Sequence, residues 1–396
     1  MNFNLLNLQK LKFQNSKILK RVSGIYLHIP FCKSKCAYCN FFSLASQSRI
    51  DDYVEALKKE IVARKDYLHG ETIETIYFGG GTPSLLSMKH IEDILETLYK
   101  NFEIIAKPEI TLEVNPDTID KEKMFSLKKS GVNRISVGIQ SFNDEDLKYL
   151  DRRHDSRHAL QVLDDLHEVS FDKLTLDLIY GIPTLTEKSW NKNLDIFFAT
   201  GISHLSAYAL TVEPKTILGQ KIEKGLLQDI DEDATIRHYE ILIERTKENG
   251  FEHYEISNFA KSGFRSQHNS IYWKDIRYLG LGTSAHSYDG NSRQWNVSNL
   301  TRYINADFNS SDYFEKEILS KEDKFNEYVM TSLRTSWGCD INKIASDYGT
   351  SYANHFLKNV KRHIECGIMI NNNGNYILTD KGMLLADGIA SEIFVD

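Results

Sequence analysis

The chain has few cysteines and no long apolar segment. Five of its 396 residues are cysteine, and no hydrophobic run reaches the ~18 residues that a membrane-spanning helix needs. The long apolar stretch of a secretion signal is also missing, so a framework of disulfides is not expected. These absences predict a protein of the cytoplasm, and the length suggests two or three domains.

An excess of positive charge is missing too. The 48 Lys and Arg residues stand against 55 Asp and Glu residues, a net charge of −7, which argues against a nucleic-acid partner. The first 50 residues nevertheless contain no acidic residue. We expect residues 1–23 to be a basic N-terminal extension. It is either a frayed extension or the product of an upstream start codon, or else a basic amphipathic arm or a transit-like peptide. Contact of the protein with a membrane surface stays open.

Three of the five cysteines lie in one short loop. Cys32 and Cys36 are separated by three residues, and Cys36 and Cys39 by two. Thiolates at this spacing can hold three corners of a [4Fe–4S] cube, and the fourth iron stays open because no further cysteine is nearby. A structural zinc ion with His28 as its fourth ligand is the alternative, together with free thiols. Basic residues beside the loop favour thiolates.

Strand and helix patterns alternate over residues 24–210. Six short apolar strands, each part of a unit of about thirty residues, predict a parallel sheet with helices outside it. A closed eight-unit barrel needs about 250 residues, so we expect an α/β fold with a partial, six-unit (β/α)6 barrel. The predicted strands cover residues 24–29, 75–78, 110–114, 134–139, 174–179 and 204–210.

Polar residues and glycines stand at the carboxyl ends of these strands, where parallel α/β folds place their sites. A run of glycines, followed by Thr82, comes after the second strand. At or shortly after the ends of later strands stand Glu113, Gln140, Arg152 and Asp177. Each alone has an ordinary explanation, such as a helix cap or a solvated charge. Together they predict one pocket with an iron site, two carboxylates, an amide and a guanidinium.

The cysteine spacing after the first strand resembles the radical S-adenosylmethionine (SAM) superfamily, and further motifs narrow the resemblance to the oxygen-independent coproporphyrinogen III oxidase-like group. These motifs span residues 24–290 and read Tyr26-Leu-His-Ile-Pro-Phe-Cys32, Phe78-Gly-Gly-Gly-Thr-Pro83, Glu113-Val-Asn-Pro116, Gly138-Ile-Gln-Ser-Phe142 and Asp177-Leu-Ile-Tyr-Gly-Ile-Pro183. The resemblance implies that SAM chelates the open iron through its methionine amine and carboxylate. It implies a SAM pocket formed by Tyr26, Tyr38, Gly80, Gly81, Thr82, Glu113, Gln140, Arg152 and Asp177, with Arg153 as the alternative to Arg152.

Two features separate this chain from the enzymes of that group. Position 41 is Phe, whereas the enzymes of the group resemble one another in having a fourth cysteine there. In addition, only about 23 residues precede the first strand of this chain. In both features the chain resembles the HemW-type heme chaperones. It also resembles them in the motif His268-Asn-Ser-Ile-Tyr-Trp273. This motif implies His268 as a heme ligand, since imidazole is a common axial ligand of heme iron. The alternative is that His268 only forms hydrogen bonds in the core and that His253 or His286 is the heme ligand. This alternative stays open.

Residues 300–396 predict a smaller α+β domain. Helical patterns over residues 321–337, 341–348 and 352–366 precede a hairpin over 367–378, turned at Asn371-Asn-Asn-Gly374, and a last helix. Helices followed by a wing resemble a winged-helix unit, similar to the C-terminal domain of this family, which implies a lid or docking module. We expect Cys339 and Cys366 to be inert thiols.

We therefore expect a heme chaperone with three cofactors: a [4Fe–4S] cluster, SAM and heme. It would transfer heme to apo-hemoproteins such as respiratory oxidases and would need an electron donor; a dimer stays open. The alternative is an oxygen-independent coproporphyrinogen III dehydrogenase, which converts propionates to vinyls by oxidative decarboxylation. We expect that activity, and catalytic residues for it, to be missing.

Overall fold

The computed structural model describes residues 21–171 and 173–395, so residues 1–20 of the extension predicted for residues 1–23 lie outside the described residues. The strands of the described part are β1 (Val22–Ile29), β2 (Thr72–Gly80), β3 (Ile104–Val114), β4 (Arg134–Gln140), β5 (Lys173–Tyr180), β6 (His204–Ala209), β7 (Glu252–Glu255), β8 (Asn258–Ala260), β9 (Tyr278–Leu281), β10 (His286–Tyr288), β11 (Ser292–Asn296), β12 (Phe314–Ile318), β13 (Cys339–Asp340), β14 (Met369–Asn372) and β15 (Asn375–Leu378). The helices are α1 (Ile50–Ala63), α2 (Met88–Asn101), α3 (Lys121–Lys129), α4 (Asp144–Tyr149), α5 (Ser156–Val169), α6 (Glu187–Ala199), α7 (Ile217–Glu223), α8 (Glu232–Glu248), α9 (Gln267–Trp273), α10 (Leu300–Ile304), α11 (Lys321–Leu333), α12 (Ile341–Asp347), α13 (Thr350–Glu365), α14 (Asp380–Met383) and α15 (Ala386–Ser391).

The predicted partial barrel is confirmed. Strands β1 to β6 are parallel neighbours in chain order within a twelve-stranded sheet. Helices connect them, and the strands carry buried apolar residues that alternate with polar residues such as Tyr77, Glu113 and Asp177. Ser87 caps α2 as predicted, since its side chain accepts a hydrogen bond from His90 N.

The strands are longer than the apolar pattern predicts. Strand β3 begins at Ile104, whereas the pattern begins at residue 110. Its first half contains exposed residues such as Lys107, which conceal the strand from a search for buried positions.

The sheet continues on both sides of the parallel strands. Strand β9 pairs with β1 in parallel, and β10 to β12 follow in antiparallel order. The predicted division at residues 290–300 thus falls inside this sheet, which extends to Ile318. Glu60 of α1 ties the added strands to the barrel, because its buried carboxylate accepts hydrogen bonds from Gly282 N (2.8 Å), Asn296 Nδ2 (2.7 Å) and Tyr303 OH (2.5 Å).

The C-terminal residues form a small α+β unit with a three-stranded sheet in the order β13-β15-β14, as the winged-helix pattern predicts. Its hairpin turns at Asn373 and Gly374, whose φ angles of 52° and 91° suit the turn that Asn-Gly favours. Helix α11 ends at Leu333 rather than at residue 337, shortly before Gly338 with a φ of 62°. Among the described helices, none combines the length and apolar character needed to cross a bilayer.

Candidate functional site

A cavity of about 480 Å³ opens at the carboxyl ends of the parallel strands. Most of the residues predicted to bind the cluster and SAM share its wall. They are Cys32, Cys36, Tyr38, Cys39, Gly80, Gly81, Thr82, Glu113, Gln140, Arg152 and Asp177. The cavity lies where side chains from the carboxyl ends of successive parallel strands come close together.

The cysteine loop presents its thiols to this cavity from different depths. Cys32 is buried, and Cys36 and Cys39 are half-buried. Thr82 Oγ1 lies 3.5 Å from Cys32 Sγ, and Arg152 Nη1 lies 3.3 Å from Cys36 Sγ, so each sulfur has a hydrogen-bond donor. Burial nevertheless raises the pKa of the Cys32 and Cys39 thiols. For these two thiols, the effect of desolvation is therefore larger than that of the basic neighbours, which favour thiolates.

His28 does not join the cysteines. Its Nδ1 lies 3.1 Å from Tyr26 OH and its Nε2 lies 2.8 Å from Phe42 O, so both ring nitrogens have partners. Within the described residues, no group of three or more Cys, His, Asp or Glu side chains, the loop cysteines included, stands ready to hold a metal ion. The zinc alternative is therefore left without its proposed fourth ligand.

Glycine is required where β2 meets the cysteine loop. At Gly81 a Cβ atom would lie 2.7 Å from Phe31 O and 3.0 Å from Cys32 Sγ. Gly80 has a φ of 107°, and a Cβ there would lie 2.8 Å from the His28 ring. Since only glycine combines this backbone freedom with the lack of a side chain, the backbone can approach the loop closely.

Two half-buried carboxyls line the cavity. Tyr77 OH donates to Glu113 Oε1 (2.8 Å) and Gly80 N donates to Glu113 Oε2 (3.2 Å), while Ser136 Oγ lies 3.2 Å from both oxygens of Asp177. Burial is the main cause that raises the pKa of each carboxyl to about 7, and the charge of Asp177 adds to the effect on Glu113. Both groups can therefore gain or lose a proton near neutral pH.

Gln140 reaches the cavity through an irregularity in β4. The register with β5 shifts between Gly138 and Gln140, and Gln140 has a φ of 70°. A bulge of this kind redirects a side chain at a strand end, and a left-handed conformation is costly for a residue other than glycine. A Cβ at Gly138 would lie 2.8 Å from Gln140 Nε2, so glycine leaves room for the redirected amide.

Arg152 and Arg153 point to different surroundings. Arg152 lines the cavity, where Nη2 donates to Asn115 Oδ1 and Gly138 O, both at 2.7 Å. Arg153 is exposed, and its Nε lies 3.3 Å from Asp117 Oδ2. The structure therefore turns the first arginine, and not the second, toward the cysteines.

Tyr26 and His268 are not in the cavity wall. Tyr26 is inside the barrel, and its ring stacks with that of Tyr77 at 6.0 Å between centroids. The His268 ring stacks on Tyr77 from a position nearer the start of the strands, 4.9 Å between centroids. Its Nδ1 lies 2.8 Å from Thr75 Oγ1 and its Nε2 lies 3.0 Å from Tyr272 OH.

The position of His268 agrees with the core alternative. The residue is 1% exposed, and burial lowers its pKa to about 3. Helix α9 is held in place because Gln267 N and His268 N donate to Glu109 Oε1 at 2.8 and 3.2 Å. His253 stacks on Phe259, whereas His286 is exposed beside Trp295.

Asn115, Ser136 and Tyr208 are among the residues of the cavity wall that sequence reasoning did not predict as site residues. Asn115 links two predicted residues, because it donates to Thr82 Oγ1 (3.0 Å) and accepts from Arg152. Tyr208 is 44% exposed near the end of β6. Their positions at or near strand ends are the feature of the sequence that could have identified them as site residues.

Comparison with known proteins identifies relatives over nearly the whole chain. Residues 26–196 match the radical SAM superfamily, and residues 319–385 match the HemN C-terminal domain. Heme chaperone HemW of Bacillus subtilis (strain 168) is 32% identical over 375 residues, which cover 93% of this chain and 98% of that protein. Heme chaperone HemW of Lactococcus lactis subsp. lactis (strain IL1403) is 31% identical over 380 residues, with 96% and 99% coverage.

The structure of coproporphyrinogen III oxidase (HemN) from Escherichia coli, described as a radical SAM enzyme, superposes with a TM-score of 0.82. The superposition covers 95% of this chain and 90% of the HemN chain at 24% sequence identity, so it shows a similarity of fold alone. The two chaperones, in contrast, are similar to this chain in sequence over almost the whole length of both proteins. By that similarity, the chain belongs to the HemW family of the radical SAM superfamily.

Proposed function

We propose that this protein is a heme chaperone that holds a [4Fe–4S] cluster through Cys32, Cys36 and Cys39, binds SAM beside it and transfers heme to apo-hemoproteins. The observation that carries the proposal is the shared cavity, whose wall contains the three thiols, the glycine backbone and two half-buried carboxyls. The names of the relatives supply the cargo, since they are heme chaperones of matching length.

The residues of the loop fit a cluster. Gly81 keeps the space beside Cys32 Sγ free of a side chain. Thr82 and Arg152 donate hydrogen bonds to sulfur, which would stabilise thiolate charge once the ligands are deprotonated. When bound, such a cluster supplies the electron for reductive chemistry on SAM.

The remaining wall fits SAM, a molecule with a cationic sulfonium, an ammonium and a carboxylate. Gly80, Gly81 and Thr82 would contact the methionine end, and Tyr38 would pack near the adenine. Ionised Glu113 and Asp177 would attract the cationic groups, with Gln140 and Arg152 supplying further polar contacts. Tyr26 would act from beneath the wall, since its hydroxyl holds His28 and its ring supports Tyr77.

Heme binding is proposed from the relatives and from the motif that begins at His268. Ligation by this histidine would require a nitrogen to exchange its bond to Tyr272 or Thr75 for one to iron. The assignment of His268 stays a prediction, with exposed His286 as the accessible alternative.

The surroundings of the protein are also part of the proposal. An oxygen-sensitive cluster suits the reducing cytoplasm. Apo-hemoproteins and an electron donor are the expected partners, while dimerisation and contact with a membrane surface stay predictions.

The decisive experiment gives anaerobically reconstituted protein heme and coproporphyrinogen III in parallel. We expect heme to bind near one per chain and no vinyl product to form, because Phe41, 68% exposed in the cavity wall, replaces the fourth cysteine of the enzymes. Product formation at about 1 per second or faster would favour the dehydrogenase instead. Absence of heme binding would exclude the chaperone proposal.

A further inference from the structure

The connection between α4 and α5 joins two sides of the cluster cavity. Its residues 150–154 form a short segment, which we name the strap. Leu150 O accepts a hydrogen bond from Ala37 N of the cysteine loop at 3.3 Å. Arg152 Nη1 lies 3.3 Å from Cys36 Sγ in the same loop. One side of the strap is therefore bonded to the loop that carries the predicted cluster ligands.

The other side of the strap is bonded to the bulge of β4. The register between β4 and β5 passes over Ile139, and the next residue is Gln140 with its φ of 70°. A bulge of this kind leaves backbone groups outside the regular ladder. Arg152 Nη2 donates to Gly138 O at 2.7 Å. His154 Nε2 lies 3.1 Å from Ile139 O, so two successive carbonyls of the bulge are bonded to the strap.

His154 has the properties of a fixed hydrogen-bond donor. The residue is 4% exposed, and burial together with the charge of Arg152 lowers its pKa to about 4. The imidazole is therefore neutral near pH 7 and carries a single N–H. Since Ile139 O can only accept, that proton is on Nε2. Nδ1 has no hydrogen bond to any described residue, so within the described chain the ring is bonded to the Ile139 carbonyl alone.

The bond from His154 acts on Gln140 through one peptide group. The carbonyl of Ile139 and the N–H of Gln140 belong to the same planar unit, so a hydrogen bond that fixes the carbonyl also fixes the plane from which the Gln140 side chain departs. A left-handed residue other than glycine persists only where its surroundings determine its conformation. Without this bond the peptide is freer to rotate, and rotation carries the Gln140 amide away from the cavity wall.

We propose that His154 is a positioning residue for SAM, because its Nε2–H holds the peptide between Ile139 and Gln140 and so keeps the Gln140 amide in the cavity wall. The inference rests on the proposed function, in which Gln140 and Arg152 contact SAM. His154 is not among the residues that line the cavity, so it acts through Gln140 and does not touch SAM itself. Loss of the bond lowers the fraction of protein with the amide in place, and the apparent affinity for SAM falls by the same factor.

The test compares His154→Leu and His154→Gln with the unmodified full-length protein, each with its [4Fe–4S] cluster reconstituted anaerobically. Leucine fills the site without a donor, whereas glutamine supplies an N–H donor at a similar distance from the backbone. His355→Leu is the matched control, because His355 Nε2 lies 2.9 Å from Ile393 O in the C-terminal unit, outside the cavity. Iron–sulfur absorption reports the cluster and urea unfolding reports stability. Electron paramagnetic resonance of the reduced cluster during a titration with SAM gives the dissociation constant.

In His154→Leu we expect the dissociation constant for SAM to rise by about tenfold or more, which is within the range that the strain of one left-handed residue can produce. The iron–sulfur absorption should stay at the level of the unmodified protein, since all three cysteines remain. His154→Gln should restore most of the affinity because it restores the donor. His355→Leu should bind SAM as the unmodified protein does.

Unchanged affinity for SAM in His154→Leu would overturn this inference and leave the proposed function standing. An equal loss in His355→Leu would also overturn it, as would a loss that glutamine does not reverse or that accompanies loss of the cluster. Each of these results would give His154 a purely structural role. If the unmodified protein does not respond to SAM, the SAM site of the proposed function fails, and this inference fails with it.

Discussion

At the scale of single residues, the two half-buried carboxyls of the cavity couple the protein to pH. Glu113 and Asp177 have a pKa of about 7 when folded, whereas carboxyls of an unfolded chain titrate near 4. The folded state therefore favours their protonated form. Their stabilising effect is complete below pH ~4 and is lost as the pH rises through ~7.

Glu113→Gln should make stability less dependent on pH. The loss for one such carboxyl is on the order of 3 kcal/mol across this window, because each pKa unit corresponds to about 1.4 kcal/mol. Urea unfolding without SAM at several pH values measures the slope. Glu317→Gln, on the exposed strand β12, is the control. Equal slopes for both variants would show that Glu113 is already ionised in the folded protein.

The three cysteines of the loop should be individually necessary for the cluster. Replacing Cys32, Cys36 or Cys39 with Ala should abolish iron–sulfur absorption after anaerobic reconstitution, since three thiolates are the fewest that leave one iron open. Cys339→Ala, at a buried position outside the cavity, should keep it. Loss of the cluster in that control, with the fold intact, would contradict the ligand assignment.

Gly81→Ala should weaken the response to SAM. The added Cβ would crowd Phe31 O and Cys32 Sγ, so the loop and backbone would have to separate. Electron paramagnetic resonance of the reduced cluster with and without SAM measures the response. Gly388→Ala is the control, because a Cβ there meets no atom of the described residues within 4 Å. An equal response in both would remove the steric argument.

Motifs predicted the residues of the cavity better than they predicted side-chain directions. Glu113 and Asp177 were found because strand ends of a parallel sheet share one edge. The inward position of Tyr26 and the double hydrogen bonding of His268 depend on ring packing inside the barrel. Such packing involves residues far apart in the chain, and no local pattern encodes it.

At the scale of elements, α9 depends on a buried ion pair. Glu109 accepts from the first N–H groups of α9 and lies 3.5 Å from Arg134 Nη1. Both side chains are at most 1% exposed. Removing the carboxylate would leave a buried guanidinium without its partner.

Glu109→Ala should therefore cost about 3–5 kcal/mol in the free energy of unfolding. Glu252→Ala removes a surface pair with Arg265 and should cost about 1 kcal/mol or less. Urea unfolding compares the two variants. Similar losses would mean that Glu109 is not what holds α9 against the barrel.

The added strands were harder to predict than the barrel. Strands β7 to β12 have three to five residues each, with mixed polar and apolar positions. Their pairing depends on distant contacts, such as the three hydrogen bonds to Glu60. The six parallel strands, in contrast, carry buried apolar residues at regular positions, so their pattern is visible locally.

At the scale of the whole molecule, neither His268 nor His286, the two histidines considered as heme ligands, lines the cluster cavity. Loading of that cavity with the cluster should therefore not be needed for heme binding. We expect Cys36→Ala, which lacks the cluster, to bind heme with the affinity of the reconstituted protein. Titration of both forms under anaerobic conditions measures this. A large loss of heme affinity would place the cargo at the cluster cavity instead.

The large sheet does not close on itself, and β12 is one of its two edges. Unpaired edges invite other chains to add strands, which leads to aggregation. Here Glu315, Lys316 and Glu317 stand exposed in succession on that edge. Their charges discourage intermolecular pairing, so this short strand protects a protein whose sheet must stay open.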